Sequence, residues 1–112
     1  MNLNGECKII KIYVSEDSKY EGHNLYHALV FKLREIGMAG VTVTRGIEGF
    51  GQGKRLHSEH FLDISLQLPV IVEVIDTQEK IEMAIPIVKD MVNEGLIIVS
   101  DVNVVKYGRV MV

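Results

Sequence analysis

Residues 62–76 read Leu-Asp-Ile-Ser-Leu-Gln-Leu-Pro-Val-Ile-Val-Glu-Val-Ile-Asp. As far as Leu68, apolar and polar residues alternate, which is the period-two pattern of a strand with one buried face. Pro69 has no amide hydrogen for the ladder, so a bend, a bulge or an edge position is expected there before the strand resumes over 70–75. This stretch is the clearest strand in the sequence, and the other elements are placed relative to it.

A helix is predicted directly after this strand. The segment Asp76-Thr-Gln-Glu79 has the spacing of an N-terminal capping arrangement, in which Asp76 accepts an amide hydrogen bond and Glu79 reaches back. Pro86 predicts a kink within one helix, because its ring collides with the carbonyl four residues earlier. Gly95 follows the last turn as an expected left-handed cap. The buried stripe is expected to consist of Ile81, Ile85, Val88 and Val92.

The sequence before residue 62 predicts two more strands and another helix. Residues 8–14 are rich in β-branched side chains and predict an interior strand. Over residues 22–38 apolar side chains recur at helical spacing, and Gly37 with Gly40 supplies a stop. These apolar positions are Leu25, Leu29, Leu33 and Ile36. Residues 41–44 alternate and predict the second strand.

The last strand is predicted over 96–99 and 102–105, split by Asp101. The resulting order predicts an α+β fold, a ferredoxin-like βαββαβ sandwich with an antiparallel four-stranded sheet and two helices on one face. Residues 1–112 are expected to form a single domain. Both faces of the sheet carry apolar side chains. A monomer would leave one such face exposed, which favours a symmetric oligomer.

Charge and composition exclude several classes of protein. The 112 residues carry a formal net charge of −3, and no stripe dense in lysine and arginine is present, which argues against nucleic-acid binding. No apolar run approaches the ~18–20 residues that cross a bilayer, and the first strand begins almost at once, so a cytoplasmic location is expected. Cys7 is the single cysteine, which excludes an internal disulfide and a multi-cysteine metal site.

The segment Arg45-Gly-Ile-Glu-Gly-Phe-Gly-Gln-Gly53 is rich in glycine. Closely spaced glycines let backbone amides approach an anion without interference from Cβ atoms. Lys54, Arg55 and His57 place cations beside the segment, which suits a phosphate or a carboxylate. Neither a P-loop nor the dinucleotide fingerprint fits, because Arg55 stands where the first requires Ser or Thr and Lys54 where the second requires Gly or Ala. A flexible hairpin loop explains the glycines equally well.

No catalytic residue and no metal site are predicted. His57 or His60 could act as a general acid or base, but the sequence shows no residue that would orient either imidazole ring. In an extended segment these two histidines point to opposite faces, so they do not share a metal. His23 and His27 are four apart on the predicted first helix, but no further ligand accompanies them.

Residues 49–57, Gly-Phe-Gly-Gln-Gly-Lys-Arg-Leu-His, followed by the strand at 62–76, resemble an uncharacterised PII-like family, domain of unknown function 190. The resemblance covers nearly the whole chain and implies a trimer similar to the nitrogen regulatory PII signalling proteins. Those proteins sense adenine nucleotides in clefts between subunits and present a long loop between strands two and three to target proteins. Gly49–Gln52 looks like the Gly-Phe-Gly segment at the base of that loop. Gly95 looks like the start of the phosphate-contacting loop.

The resemblance implies a non-enzymatic regulatory protein that forms a homotrimer and binds a small anionic ligand at subunit clefts. An adenine nucleotide is the candidate ligand, no other cofactor is expected, and the loop would engage a target protein such as a membrane transporter or an enzyme. The alternative is a structural or interaction module without a small-molecule ligand. In PII proteins a Gly-rich turn with a lysine follows the start of the phosphate-contacting loop. Here the residues after Gly95, 96–99, run directly into a strand. The predicted ligand-binding residues are Arg45, Gly46, Gly49, Phe50, Gly51, Gln52, Gly53, Lys54, Arg55, His57 and Gly95.

Overall fold

The computed structural model describes residues 3–50, 57–58 and 68–108. In chain order the elements are β1 (Gly5–Ser15), β2 (Lys19–Tyr20), β3 (His23–Asn24), α1 (Leu25–Glu35), β4 (Val41–Arg45), β5 (Glu48–Gly49), β6 (His57–Ser58), β7 (Pro69–Asp76), α2 (Gln78–Met91) and β8 (Leu96–Val104). β4, β7, β1 and β8 form one sheet in that spatial order, while β2 pairs with β3 and β5 with β6. Within the described ranges, neither helix is long and apolar enough to cross a bilayer.

All pairings in the four-stranded sheet are antiparallel, as the sequence predicts. β1 lies between β7 and β8, so its predicted interior position is confirmed. β7 begins at Pro69, which pairs with Ser15 at the end of β1. A proline is tolerated at the first position of a strand because its missing amide hydrogen interrupts no further ladder. The earlier half of the predicted strand, residues 62–67, lies outside the described residues.

Both helices pack on the same face of the sheet. Alternate residues of β1 and β7 point into this core, and the two helices close it. Its buried members are Ile10, Ile12, Val14, Leu25, Leu29, Leu33, Val70, Val72, Val74, Ile81, Ala84, Val88 and Met91. On α2 the predicted stripe is partly wrong: Ile85 and Val92 are only half-buried, and Ala84 and Met91 are buried instead. Because an α-helix has 3.6 residues per turn, successive buried residues are separated by either three or four positions, and the sequence pattern does not say which.

The predicted start of the first helix at residue 22 is wrong. Glu21 and Gly22 both have positive φ, +49° and +84°, and they form a two-residue turn that joins β2 to β3. Such a turn matches the twist of a hairpin, so α1 begins three residues later at Leu25. The predicted stop is confirmed. Gly37 adopts a φ of +85° and closes the helix by donating its amide hydrogen to the carbonyl of Arg34.

The N-terminal cap of α2 is Thr77 and not the predicted Asp76. The Thr77 hydroxyl accepts a hydrogen bond from the Lys80 amide at 3.3 Å. Asp76 is the fully buried last residue of β7, and its carboxylate accepts from the amides of Thr77 at 2.7 Å and Ala39 at 2.8 Å. The helix continues through Pro86 as one element.

The C-terminal part of the chain departs from the sequence prediction in two places. α2 ends at Met91, and Val92 is its C-terminal cap, so Gly95 does not cap it. β8 is continuous and is not split at Asp101. The Asp101 carboxylate accepts a hydrogen bond from Lys8 Nζ at 2.6 Å, which pairs the one acidic side chain of this strand with the neighbouring strand.

Candidate functional site

The described parts of the Gly-rich segment lie at one end of the four-stranded sheet, which we call the loop end. There β4 and β1 finish while β7 and β8 begin. The Gly46 amide donates to the Pro69 carbonyl at 2.7 Å, and the Glu16 amide donates to the Leu68 carbonyl at 2.8 Å. These two hydrogen bonds fix the chain as it leaves β4 and β1.

The segment after β4 is not wholly irregular, because it contains the short β5–β6 ladder. Gly49 pairs with His57, and Glu48 pairs with Ser58. The backbone of His57 is thereby placed beside Gly49. Phe50 is 63% exposed next to this ladder. Five predicted ligand-binding residues, Gly51, Gln52, Gly53, Lys54 and Arg55, lie outside the described residues.

Three glycines of the predicted site, those that the structure describes, have an explanation within the chain itself. A Cβ atom on Gly46 would lie 2.6 Å from Pro69 Cγ, and one on Gly49 would lie 3.3 Å from the same atom. A Cβ atom on Gly95 would lie 2.6 Å from the Tyr13 carbonyl oxygen. Packing against Pro69 and Tyr13 therefore requires or favours glycine at all three positions without any ligand.

Arg45 brings a positive charge to the loop end, at the last position of β4. Its Nε lies 3.1 Å from Glu16 Oε1, with the arginine side chain 46% exposed and the glutamate side chain 20% exposed. An anion that binds at Arg45 therefore meets the negative charge of Glu16. The sequence did not single out Glu16, because it precedes Arg45 by 29 residues and only the sheet brings them together.

The loop end holds the predicted residues on two separate edges of the sheet. Arg45 and Gly46 belong to the β4 edge, and Gly95 precedes β8 at the opposite edge. With two strands between them, these edges are roughly 14 Å apart at about 4.8 Å per strand. A single phosphate group cannot reach both within one copy of the chain, because hydrogen bonds span only about 3 Å.

A wide groove lies elsewhere, on the helical side of the molecule. It is an open groove of about 810 Å³ between the β2–β3 hairpin, α1 and α2. Its lining residues are Tyr20, Glu21, His23, His27, Ala28, Phe31, Lys32, Glu35, Pro86, Ile87, Asp90 and Met91. Both histidines of the predicted helical pair line it, but His23 lies in β3 and so does not share a helix face with His27. The predicted placement of both histidines on one face of the first helix is therefore wrong.

A second, smaller cavity of about 210 Å³ lies beside the Lys8–Asp101 pair. The hydrogen bond from Lys8 to Asp101 raises the pKa of the lysine, because it stabilises the charged ammonium group. Across the described residues, no three His, Cys, Asp or Glu side chains come together as a metal-binding group.

A family model for DUF190, described as uncharacterized ACR, COG1993, matches residues 7–104. The chain belongs to the DUF190 family. A UPF0166 protein of Aquifex aeolicus (strain VF5) is 38% identical over 98 residues, covering 88% of this chain and 92% of the relative. A UPF0166 protein of Methanocaldococcus jannaschii is 37% identical over 102 residues, covering 90% of this chain and 94% of the relative.

Solved structures place this DUF190 chain among PII-like folds. It is similar to CPII, a nitrogen regulatory PII-like protein from Thiomonas intermedia K12 solved with ADP, AMP and bicarbonate. The TM-score is 0.61 at 16% identity, and 90% of each chain is covered. A second CPII structure, with ADP and bicarbonate, gives a TM-score of 0.56 at 19% identity and the same coverage. The likeness confirms a PII-like α+β fold with a four-stranded antiparallel sheet and two helices.

Proposed function

We propose that this DUF190 protein is a non-enzymatic regulatory protein that forms a ferredoxin-like, PII-like trimer, with residues 1–112 as one domain. It binds a small anionic ligand at the loop end, with an adenine nucleotide as the candidate. The loop beyond β4 then engages or releases a partner protein. The observation that carries the proposal is the fold likeness, over 90% of the chain, to a PII-like protein solved with ADP, AMP and bicarbonate.

The separation of Arg45 from Gly95 supports a ligand site between copies. Each copy presents Arg45 at one outer edge of its sheet and Gly95 at the other. In the proposed ring, one repeated contact joins the Gly95 edge of one copy to the Arg45 edge of the next. One phosphate group could then contact both Arg45 and Gly95, which are too far apart for this within a single copy.

Apolar side chains on the sheet face away from the helices support assembly. Tyr13, Ile71 and Leu96 share one row across three strands, and Ile98 lies in the adjacent row. Leu96 is 55% exposed and Ile98 is 41% exposed. Burying such a face against other copies is favourable by about 25 cal/mol per Å² of apolar surface. Light scattering of the full-length protein should give the mass of a trimer, and a monomeric mass would contradict this step.

Ligand binding is tested by isothermal titration calorimetry of the full-length protein with AMP, ADP, ATP and bicarbonate, each with and without magnesium. Arg45→Gln removes the charge at the loop end and should weaken binding about tenfold or more, since charge-assisted hydrogen bonds contribute about 1.5–3 kcal/mol. Arg34→Gln is the matched control, because Arg34 is exposed on α1. Equal losses in both variants would contradict a site at Arg45.

The position of the site between copies has its own test. Arg45→Gln protein and Gly95→Ala protein are mixed, unfolded and refolded together, after circular dichroism has verified the fold of each. If one site takes Arg45 from one copy and Gly95 from the next, about one quarter of the sites become intact in a random ring. If both residues act within one copy, mixing restores no binding.

The packing of the glycines favours a second candidate function, an interaction module without a small ligand. Gly46, Gly49 and Gly95 are accounted for by contacts with Pro69 and Tyr13, so backbone approach to an anion is not needed to explain them. A trimer that gives no heat with any nucleotide or with bicarbonate would favour this candidate over the sensor.

A further inference from the structure

The groove on the helical side is separate from the loop end and shares no described residue with it. It is formed by the β2–β3 hairpin and by side chains of both helices. Apolar side chains of α1 and α2, including Ala28, Ile87 and Met91, contribute to its lining. Phe31 also lines it and remains 56% exposed. Apolar side chains that cluster in a groove with charged residues around them are typical of an interaction surface.

The groove carries an excess of negative charge. Its lining contains the carboxylates of Glu21, Glu35 and Asp90 against the single ammonium group of Lys32. Lys32 Nζ lies 3.3 Å from Glu35 Oε1, so this lysine is already paired. In the described part of the chain, neither Glu21 nor Asp90 has an ion-pair partner. The charges left uncompensated are therefore negative, and they come from two elements, the hairpin and α2.

Local folding does not account for the carboxylate at residue 21. Glu21 occupies the first central position of the β2–β3 turn at a φ of +49°. Asn, Asp or Gly suits that backbone conformation better than Glu. The turn would form more readily with another residue, so it does not explain a glutamate at the rim of the groove.

The aromatic stripe on α1 complements positive charge as well as apolar surface. His27 and Phe31 are four residues apart and meet edge to face, with ring centroids 4.9 Å apart. The exposed Phe31 ring lies in the same groove as the carboxylates. A guanidinium or ammonium group can pack on such a ring while its charge faces a carboxylate, and arginine does so most readily.

We propose that this groove docks a short basic amphipathic segment of a partner protein. Its apolar side chains pack on Phe31 and Ile87, and its arginine or lysine side chains face Glu21 and Asp90. A second copy of this chain is a poorer occupant, because the chain itself has a net charge of −3. The proposal adds a partner-binding surface to the proposed regulatory role, but it requires no ligand at the loop end.

The experiment selects a random dodecapeptide display library on the full-length wild-type protein. Enriched peptides are synthesised with a fluorescent label, and their affinity is measured by fluorescence anisotropy. We expect arginine or lysine combined with aliphatic or aromatic residues in the selected sequences. Enrichment of acidic or uncharged peptides would overturn the proposal.

Variants then locate the bound peptide. Phe31→Ser and Asp90→Lys should each weaken binding about fivefold or more, as expected when a central contact or a facing charge is lost. The matched controls are Met83→Ser and Glu94→Lys, which change exposed residues outside the groove lining and should stay within about twofold of the wild type. All four changed residues are exposed, so the fold should survive each change.

Equal affinity of the selected peptides for the wild type and for all four variants would place their binding elsewhere and refute the groove. Nucleotide titration of the Asp90→Lys protein separates the two proposals. Loss of peptide binding with unchanged nucleotide binding supports the groove independently of the loop end. The wild-type protein could also bind the peptides through the groove and bind no nucleotide. That result would support the groove and would contradict only the proposal of a nucleotide sensor.

Discussion

Replacement of Gly95 by alanine tests how closely the chain packs at the β8 edge of the loop end. The added Cβ would lie 2.6 Å from the Tyr13 carbonyl oxygen and 3.1 Å from Cγ1 atoms of both Val14 and Val92. Tyr13 is the partner of Leu96 in the sheet, so its carbonyl cannot withdraw without disturbing the β1–β8 ladder. The backbone of Gly95 also has a φ of +157°, which L residues rarely adopt.

The expected cost combines these two effects. Overpacking contributes roughly 1–3 kcal/mol, and a backbone conformation that is essentially restricted to glycine adds about 1 kcal/mol. Gly95→Ala should therefore lower the free energy of unfolding by roughly 2–4 kcal/mol. That is a large share of the 5–15 kcal/mol typical of a whole domain.

Two other glycines separate the effects. Gly22 has a φ of +84° with no atom within 4 Å of an added Cβ, so Gly22→Ala reports the conformational effect alone. Gly40 has open space and no positive φ. Gly40→Ala should be neutral or stabilising by up to about 1 kcal/mol, because it lowers the entropy of the unfolded chain.

The assay is urea denaturation followed by circular dichroism, with every variant at the same protomer concentration. Matched concentrations are necessary because assembly makes apparent stability depend on concentration. The expected order of destabilisation is Gly95→Ala, then Gly22→Ala, then Gly40→Ala. If Gly95→Ala lies within about 0.5 kcal/mol of Gly40→Ala, the close approach to Tyr13 is refuted, since independent surface changes fall in that range.

Three further changes test other parts of the molecule. Asp76→Ala removes a buried carboxylate that accepts two backbone amides, so the free energy of unfolding should fall by about 3 kcal/mol in the same denaturation assay; a loss below about 1 kcal/mol would mean that water replaces the carboxylate. Glu16→Gln removes the negative charge beside Arg45 and should strengthen nucleotide binding by about fivefold in calorimetry, which corresponds to about 1 kcal/mol; weaker binding would show that Glu16 positions Arg45 for the ligand. Glu21→Asn relieves the left-handed turn and should stabilise the fold by roughly 0.5–1 kcal/mol while weakening the selected basic peptides; tighter peptide binding would contradict the role given to this carboxylate.

The main elements could be predicted from the sequence because each has a local signal. The β-branched run over 70–75 predicts the strand found as β7, and the 3.6-residue recurrence over 25–33 predicts α1. Gly37 marked the end of α1 correctly, because a left-handed cap is a short-range property of a few backbone hydrogen bonds. Apolar residues on both faces of the sheet were likewise visible in the sequence, because apolar residues follow one another directly in these strands.

Errors arose where several local interpretations were acceptable. Asp76 and Thr77 both suit an N-terminal cap, and the choice depends on the Ala39 amide, which lies 37 residues away and binds the Asp76 carboxylate. The start of α1 was misplaced because Glu21 is an unusual residue for a left-handed turn. The apolar pattern by itself therefore placed the start of the first helix at residue 22, so that the predicted helix included His23.

The sequence by itself determined the type and order of the main elements and the position of the Gly-rich segment, because periodicity and turn chemistry act over a few residues. Tertiary structure alone decided that Arg45 faces Glu16, that Gly46 packs on Pro69, and that Gly95 lies on the opposite sheet edge. It also formed the helical groove from a hairpin and two helices that are distant in the chain. These relations depend on strand order and register, which juxtapose residues that no local pattern connects.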